Sequence, residues 1–541
     1  MILDRIIMPL VVCVGIAAAA TAEKAQNPII WADVPDVSSI RVGDTYYMSS
    51  TTMHMSPGVP IMKSKDLVNW EMAGYAYDRL VENDKMNLEN GEDAYGKGTW
   101  ASSLRYHNGT FYVSTFSATS GKTHVYSTKD VEKGPWIESS FEPVLHDNSL
   151  FFDDDGRVYM LYGSGKITLV ELLPDASGIK PGGVNKVIIE NTNLLFGENE
   201  VGGLGGEGSQ LYKVNGKYYL FNIGSPRSRW SRCVLLHRAD HIEGPYEGRV
   251  ALEDRHIAQG GLIDTPDGKW YATLFGDRGG VGRIPYLVPV KWEDGWPVLG
   301  MDGKVPDVLD IEDPQPGLQG IVGDDEFERK PGEPKLPLIW QWNHNPDNEH
   351  WEILQNPGRL RITTGRVDQN VQHTRNTLTQ RTFGPASSAS TCVEVSGMKD
   401  GDRAGLIALQ NRYGYVGVKM EDGKKSIVMV RSELGIEVGE GKQQIVSIDR
   451  LSDIVKEVES VPLAQDKVYL KVDCDFDSDQ ASFYYSLDGA KWTQIGDEVQ
   501  MVYTFTKHFM GYRFGLFNYA TKAAGGYVDF DFYRVNDQLT K

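Results

Sequence analysis

Hydrophobic and polar positions alternate along this chain in short runs, and the runs recur. Five segments share one design, a Gly turn followed by a strand of aromatic and β-branched residues. They are RVGDTYYMSS (41–50), YHNGTFYVST (106–115), DDDGRVYMLY (153–162), KVNGKYYLFN (213–222) and TPDGKWYATL (265–274). Each reads as a hairpin, because the Gly supplies positive φ and the period-2 run after it suits a strand. The turn glycines, Gly43, Gly109, Gly156, Gly216 and Gly268, are spaced by 66, 47, 60 and 52 residues. Three of the segments are followed by SKDLVNW (64–70), STKDVEKGPW (127–136) and RADHIEGPYE (238–247), which read as outer strands closing on an aromatic. Units of this length hold about four strands, and five of them around an axis make a β-propeller. Helical periodicity is scarce throughout.

The pattern breaks at EDPQPGLQGIVGDDEFERKPGEPKLP (312–337), whose Pro, Gly and acidic residues read as a linker. Beyond it short strands return, as in GYVGVKMEDGKKSIVMV (414–430), FYYSLDGAKWTQIG (483–496) and YVDFDFYRV (527–535). These predict a β-sandwich. The reading is therefore all-β: a propeller over 27–320 and a sandwich over 325–541. At the start, the apolar run IIMPLVVCVGIAAAA (6–20) ends in Ala20-Thr21-Ala22. It is too short to span a bilayer comfortably and has a small-x-small cleavage pattern, so residues 1–22 read as a signal peptide. Export to the periplasm is expected, with an extracellular destination as the alternative. Cys13 does not follow a small residue, which argues against a lipoprotein. No other stretch is long enough to cross a membrane.

Composition narrows the partners. The chain has 541 residues with 74 acidic against 55 basic side chains, a formal net charge of −19. Nucleic acid and anionic membrane surfaces need clustered Lys and Arg, so neither fits as the main partner. Cys233, Cys392 and Cys474 are too scattered for a zinc site or a disulfide framework. They read as buried apolar fillers, with a Cys392–Cys474 pair left open.

In a propeller the innermost strand of each blade precedes its hairpin Gly. Counting back nine residues from Gly156, Gly216, Gly268 and Gly109 gives Asp147, Glu207, Gln259 and Trp100, and counting back seven from Gly43 gives Asp36. Three carboxylates thus converge on one axis, where mutual repulsion and burial raise at least one pKa. Folds accept that mainly where chemistry uses it. Glycoside hydrolysis needs such a set, one carboxylic acid for the leaving oxygen and one carboxylate for water or carbon. Trp100 offers a stacking face for a sugar. No G-x-S-x-G elbow, Walker loop or H-E-x-x-H zinc helix occurs.

At these residues the chain resembles glycoside hydrolase family 43. The resemblance runs through NPIIWADVPDVSSIRVGDTYYMSS (27–50), TWASSLRYHNGTFY (99–112), HDNSLFFDDDGRVYMLYG (146–163), GEGSQLYKVNGKYYLF (206–221) and VGRIPYLVPVKWEDGWPV (281–298). It continues through the closing GGYVDFDFYRV of the second half. It implies an inverting hydrolase of α-L-arabinofuranosides or β-D-xylosides, with carboxyls ~6.5–9.5 Å apart. It further implies Asp36 as general base, Glu207 as general acid, and Asp147 as the group that orients Glu207 and raises its pKa. Arg283 is similar to the family arginine that bonds a sugar hydroxyl. Asp33 is set aside, because the P-D-x-S context favours Asp36 and alternation along a strand would put the two on opposite faces. Many members carry a histidine near the axis, often beside calcium; here Gln259 stands there. A structural calcium is therefore doubtful, and no cofactor is required.

The sandwich of such members closes one side of the cleft. The candidate loop is VYTFTKHFMGYRF (502–514), with Phe505 or Phe509 as the intruding ring, or both as sandwich core. A closed pocket takes a chain end. The overall pattern, particularly the ADVPD and HIAQGG segments, resembles family members acting as α-L-arabinofuranosidases with xylosidase side activity, which implies action on side chains of hemicellulose or pectin-derived glycans. The alternatives are a β-D-xylosidase and a non-catalytic sugar-binding propeller. A β-fructosidase would want N-D-P-N-G and R-D-P motifs, which are missing.

Overall fold

The five hairpin glycines all sit at positive φ: Gly43 at 65°, Gly109 at 77°, Gly156 at 81°, Gly216 at 79° and Gly268 at 82°. A Cβ at any of them would meet nothing within 4 Å, so backbone conformation and not crowding demands Gly there. In the computed structural model, which describes residues 23–313, 318, 320–434, 445–452 and 454–540, each of these turns joins the first two strands of a four-stranded antiparallel sheet. The leader expected at 1–22, with Cys13, lies outside the described residues.

The five sheets follow one another in the chain. Their first strands are Ser38–Val42, Ser103–His107, Ser149–Phe152, Glu207–Val214 and Ala258–Asp264. Each touches the next, and the fifth touches the first, so these strands line the axis of a five-bladed β-propeller. Each blade takes its strands in chain order, the first passing over Met55–Ser56 between its second and third strands. The ring is closed instead by residues 27–34, which run beside the last blade: Ile29 N donates to Pro285 O (3.0 Å) and Val34 N to Arg283 O (2.9 Å). Farther along the axis Arg105 plugs the channel. Its guanidinium donates to Leu150 O (2.7 Å), Ser149 Oγ (3.0 Å) and Gln210 Oε1 (3.1 Å). The propeller therefore presents a blind pocket and not a pore.

The C-terminal half is a sandwich of two large antiparallel sheets. Alternate residues of Lys467–Asp475, namely Val468, Leu470, Val472 and Cys474, are fully buried in the core between them, as a period-2 strand with one core-facing side requires. Cys233, Cys392 and Cys474 are buried and free, so no Cys392–Cys474 bridge forms. No helix of the described residues is long and apolar enough to cross a membrane.

The two halves are not separate in structure. Met55–Ser56, from within the first blade's sequence, adds an edge strand to one sandwich sheet, with Ser56 opposite Trp342 and Met55 opposite Asn343. Residues 279–283 of the propeller are held by the sandwich: Gly280 N donates to Asp479 Oδ1 (2.9 Å), and Tyr512 N donates to Gly280 O (2.9 Å).

Candidate active site

The residues singled out along the axis meet in one cavity of about 310 Å³. Its lining includes Asp36, Trp100, Asp147, Glu207, Gln259 and Arg283 from the propeller, and Phe505 and Phe509 from the sandwich. That volume lies at the small end of ligand pockets, ~300–1,000 Å³.

Local backbone explains how these side chains reach the axis. Asp36 (φ 55°), Asp147 (φ 48°) and Gln259 (φ 48°) are all left-handed, a conformation costly to side chains other than Gly and most tolerable to Asn and Asp. Three such turns in register, at or just before innermost strands, are strain held by the surrounding fold. The segment around Asp36 is irregular and not a strand, so simple alternation is not what separates it from Asp33. Asp33 is turned into the domain junction, where its carboxylate accepts from Arg283 N (2.8 Å). Gln259 packs on Gly208, where a Cβ would lie 2.5 Å from the Gln259 amide carbon.

Asp36 and Arg283 form a buried ion pair, with Nη1 at 3.0 and 3.1 Å from the two carboxylate oxygens. Burial pushes the Asp36 carboxyl up, Arg283 and Arg232 pull it down, and Asp33 and Glu207 add to the rise. The arginine is thus committed to Asp36 through Nη1. Its Nε is buried and has no hydrogen-bond partner.

Glu207 is more accessible, with 25% of its side chain exposed against 7% for Asp36. It is flanked by two groups. Asp147 Oδ2 accepts from Gly208 N (3.0 Å), which fixes the backbone beside Glu207. His146 Nε2 lies 3.2 Å from Glu207 Oε2 and 3.8 Å from Asp147 Oδ2. Burial alone would lower the His146 imidazole, but the hydrogen bond to Glu207 and the charges of Asp147 and Glu207 outweigh it and raise it to about 9. Burial, reinforced by Glu207 and Asp36 and opposed by His146, raises Asp147 to about 7. Asp147 therefore holds near neutrality a proton that a carboxylate in water has lost, beside the site of proton donation.

That shift gives a stability test. An acid with a raised native pKa stabilises the fold fully below its unfolded value, near 4, and loses that contribution as pH rises through the native value. The Asp147→Asn variant is expected to unfold near the wild-type temperature at pH 4.5 and a few degrees above it at pH 8. Parallel pH dependences in thermal scans would exclude the shift.

His146, Asp147 and Glu207 are also the single grouping of potential metal ligands among the described residues, all within 4.8 Å of one another. Calcium takes ~6–8 oxygen ligands. One imidazole already bonded to Glu207 and two carboxylates supply few of these, and no step below uses the ion.

Aromatic groups close the pocket. Phe509 lies under Arg283 (4.4 Å to the ring centre), 5.7 Å from Trp100 and 5.1 Å from Phe505. Both phenylalanines thus line the cavity, and the loop that carries them is tied to the propeller by Lys507 Nζ–Asp93 (2.6 Å). Sequence reasoning missed His146, Arg232 and Trp230. His146 had a signal, a second titratable group beside an axial acid; Arg232 and Trp230 lie between blade strands, where the repeat offers no position to count from.

Acids poised at the axis of a five-bladed propeller, with a sandwich shutting one side, define a glycoside hydrolase. Residues 25–297 match the family described as "Glycosyl hydrolases family 43", and residues 324–536 match "Beta xylosidase C-terminal Concanavalin A-like domain". The chain belongs to glycoside hydrolase family 43. It is 31% identical to a beta-xylosidase of Formosa agariphila over 94% of this chain and 89% of that protein. It is 28% identical to a non-reducing end alpha-L-arabinofuranosidase of Bacteroides ovatus over 79% of this chain and 82% of that one. Among solved structures, a bifunctional GH43-CE protein of Bacteroides eggerthii superposes with a TM-score of 0.90 at 56% identity over 96% of this chain. The chain spans 64% of that protein's length.

Proposed function

We propose that this hydrolase is exo-acting and inverting, and that it removes one terminal pentosyl unit, α-L-arabinofuranosyl or β-D-xylosyl, from plant hemicellulose or pectin-derived glycans. The observation that carries this reading is the Phe505–Phe509 wall, which the sandwich lays beside the axial acids. A cleft shut on one side admits a chain end or a branch.

In this scheme Asp36, held as a carboxylate by Arg283, takes a proton from water as that water attacks the anomeric carbon. Glu207 protonates the departing oxygen on the other side of the sugar. Asp147, through Gly208 N, and His146, through its hydrogen bond, position Glu207. Arg283 and the Trp100 and Phe509 faces hold the sugar. The reaction consumes only water, and no cofactor is invoked. The 1–22 leader supports export to the periplasm, where oligosaccharides taken up by a cell would be met.

The ADVPD and HIAQGG segments favour the arabinofuranoside. β-D-Xylosidase as the main activity is the second reading, favoured by the name of the relative from Formosa agariphila. Parallel rates on aryl α-L-arabinofuranoside and aryl β-D-xyloside decide between them. Proton NMR of the same reactions should show β-arabinose or α-xylose first. Initial retention of configuration would sink the mechanism.

A further inference from the structure

Of the exposed large hydrophobic side chains described, Trp230 alone lines the catalytic cavity. It is 52% exposed, and it stands on the loop between Lys217–Gly224 and Cys233–Ala239 of the fourth blade. That is the blade whose innermost strand begins with Glu207, and Ile223, opposite Glu207 in the sheet, lines the same wall. The group that protonates the leaving oxygen must lie on the leaving-group side of the scissile bond. The wall next to Glu207 is therefore the wall that meets the departing sugar, whereas Asp36 and Arg283 belong to the water side.

The loop that carries the ring is anchored on both sides of it. Arg229 pairs with both carboxylate oxygens of Glu253 (2.7 and 2.8 Å), and Ser231 Oγ donates to the same carboxylate (2.8 Å), so both neighbours of Trp230 are anchored to one acid. Ser231 N donates to Ser225 Oγ (3.1 Å), which in turn donates to Arg229 O (3.1 Å). The Arg232 guanidinium lies 5.7 Å from the Trp230 ring centre and is paired with Asp277 at 3.2 Å. One part of the indole is thus backed by a fixed cation while the remainder faces the pocket. A half-exposed aromatic on an anchored loop, with only two side-chain torsions to fix, costs little ordering entropy on binding, which is what a stacking platform needs.

We propose that Trp230 is the platform for the sugar ring of the leaving group, the pyranose unit to which the cleaved pentose is attached. This rests on the hydrolase reading above, with Glu207 as the acid. Trp230 then determines which glycosidic substrates are held for cleavage and takes no part in proton transfer.

The test compares substrates with and without a leaving-group ring. Xylobiose is paired with β-D-xylosyl fluoride, and arabinofuranosyl-xylobiose with α-L-arabinofuranosyl fluoride, on wild type, Trp230→Ala and Trp230→Phe. The alanine variant should lose about 10–100-fold in kcat/KM on the glycoside, the size expected for removing a large apolar contact. Its loss on the matching fluoride should be at least tenfold smaller, and phenylalanine should recover most of the glycoside rate. Equal losses on both partners of a pair, or no loss on either, overturn the assignment. A wild-type enzyme that splits neither fluorides nor glycosides overturns the hydrolase reading on these sugars, and the platform with it.

Discussion

Replacing Asp36 by Asn is expected to remove turnover on every substrate, whatever its leaving group. The attacking water loses the group that takes its proton, and an amide cannot substitute. General base catalysis is worth ~10²–10⁴-fold, and a drop at the top of that range or beyond it is expected in kcat/KM on aryl glycosides and oligosaccharides alike. Asn tolerates the left-handed backbone at this position, so the turn itself survives. The electrostatics do not. Arg283 is buried beside Asp36, and the substitution removes its paired carboxylate, leaving only the charges of Asp33 and Asp277 to face the cation. Breaking a buried pair in this way costs on the order of 3–5 kcal/mol, so the unfolding temperature should fall as well. Rates are therefore to be compared on protein shown to be folded by circular dichroism at the assay temperature. Residual activity above a thousandth of wild type would remove Asp36 from the role of base.

Glu207→Gln should separate substrates that Asp36→Asn does not. A glycoside whose leaving oxygen must be protonated, such as xylobiose, is expected to lose ~10³–10⁴-fold. An aryl glycoside with strongly electron-withdrawing nitro groups leaves as a stable phenolate and should lose about tenfold or less. Gln keeps the length and polarity of the side chain, and Gly208, Asp147 and His146 still surround it. The contrast between the two substrates therefore reads the proton and not the packing. Equal losses would point to a binding role for Glu207, and the acid would have to be sought at Asp147.

Much of this was legible because it is periodic. Five Gly turns fixed at positive φ announced five blades, and counting back along equivalent strands reached Asp36, Trp100, Asp147, Glu207 and Gln259, all of which line one cavity. What stayed hidden depends on contacts with no period. The Asp36–Arg283 pairing joins positions 247 residues apart, and Lys507–Asp93 joins positions 414 apart. Strand addition by Met55–Ser56 leaves only two residues of pattern, too short to read. His146 looks like any polar residue before a strand until Glu207, from the next blade, is placed beside it. Phe505 and Phe509 could equally have filled the sandwich core, since a ring in a pocket wall and a ring in a core have the same hydropathy. Only the loop's attachment to the propeller decides between them.

The two-residue strand at Met55–Ser56 has a consequence for how such a chain is inherited. A segment inside the first blade completes a sheet of the second domain, and the second domain in return grips the turn that carries Arg283. Neither half can be exchanged for a foreign counterpart without leaving an edge unpaired on one side and a key cation unsupported on the other. Changes at this boundary are therefore coupled across the two halves, whereas the loops that face the pocket can vary without disturbing it.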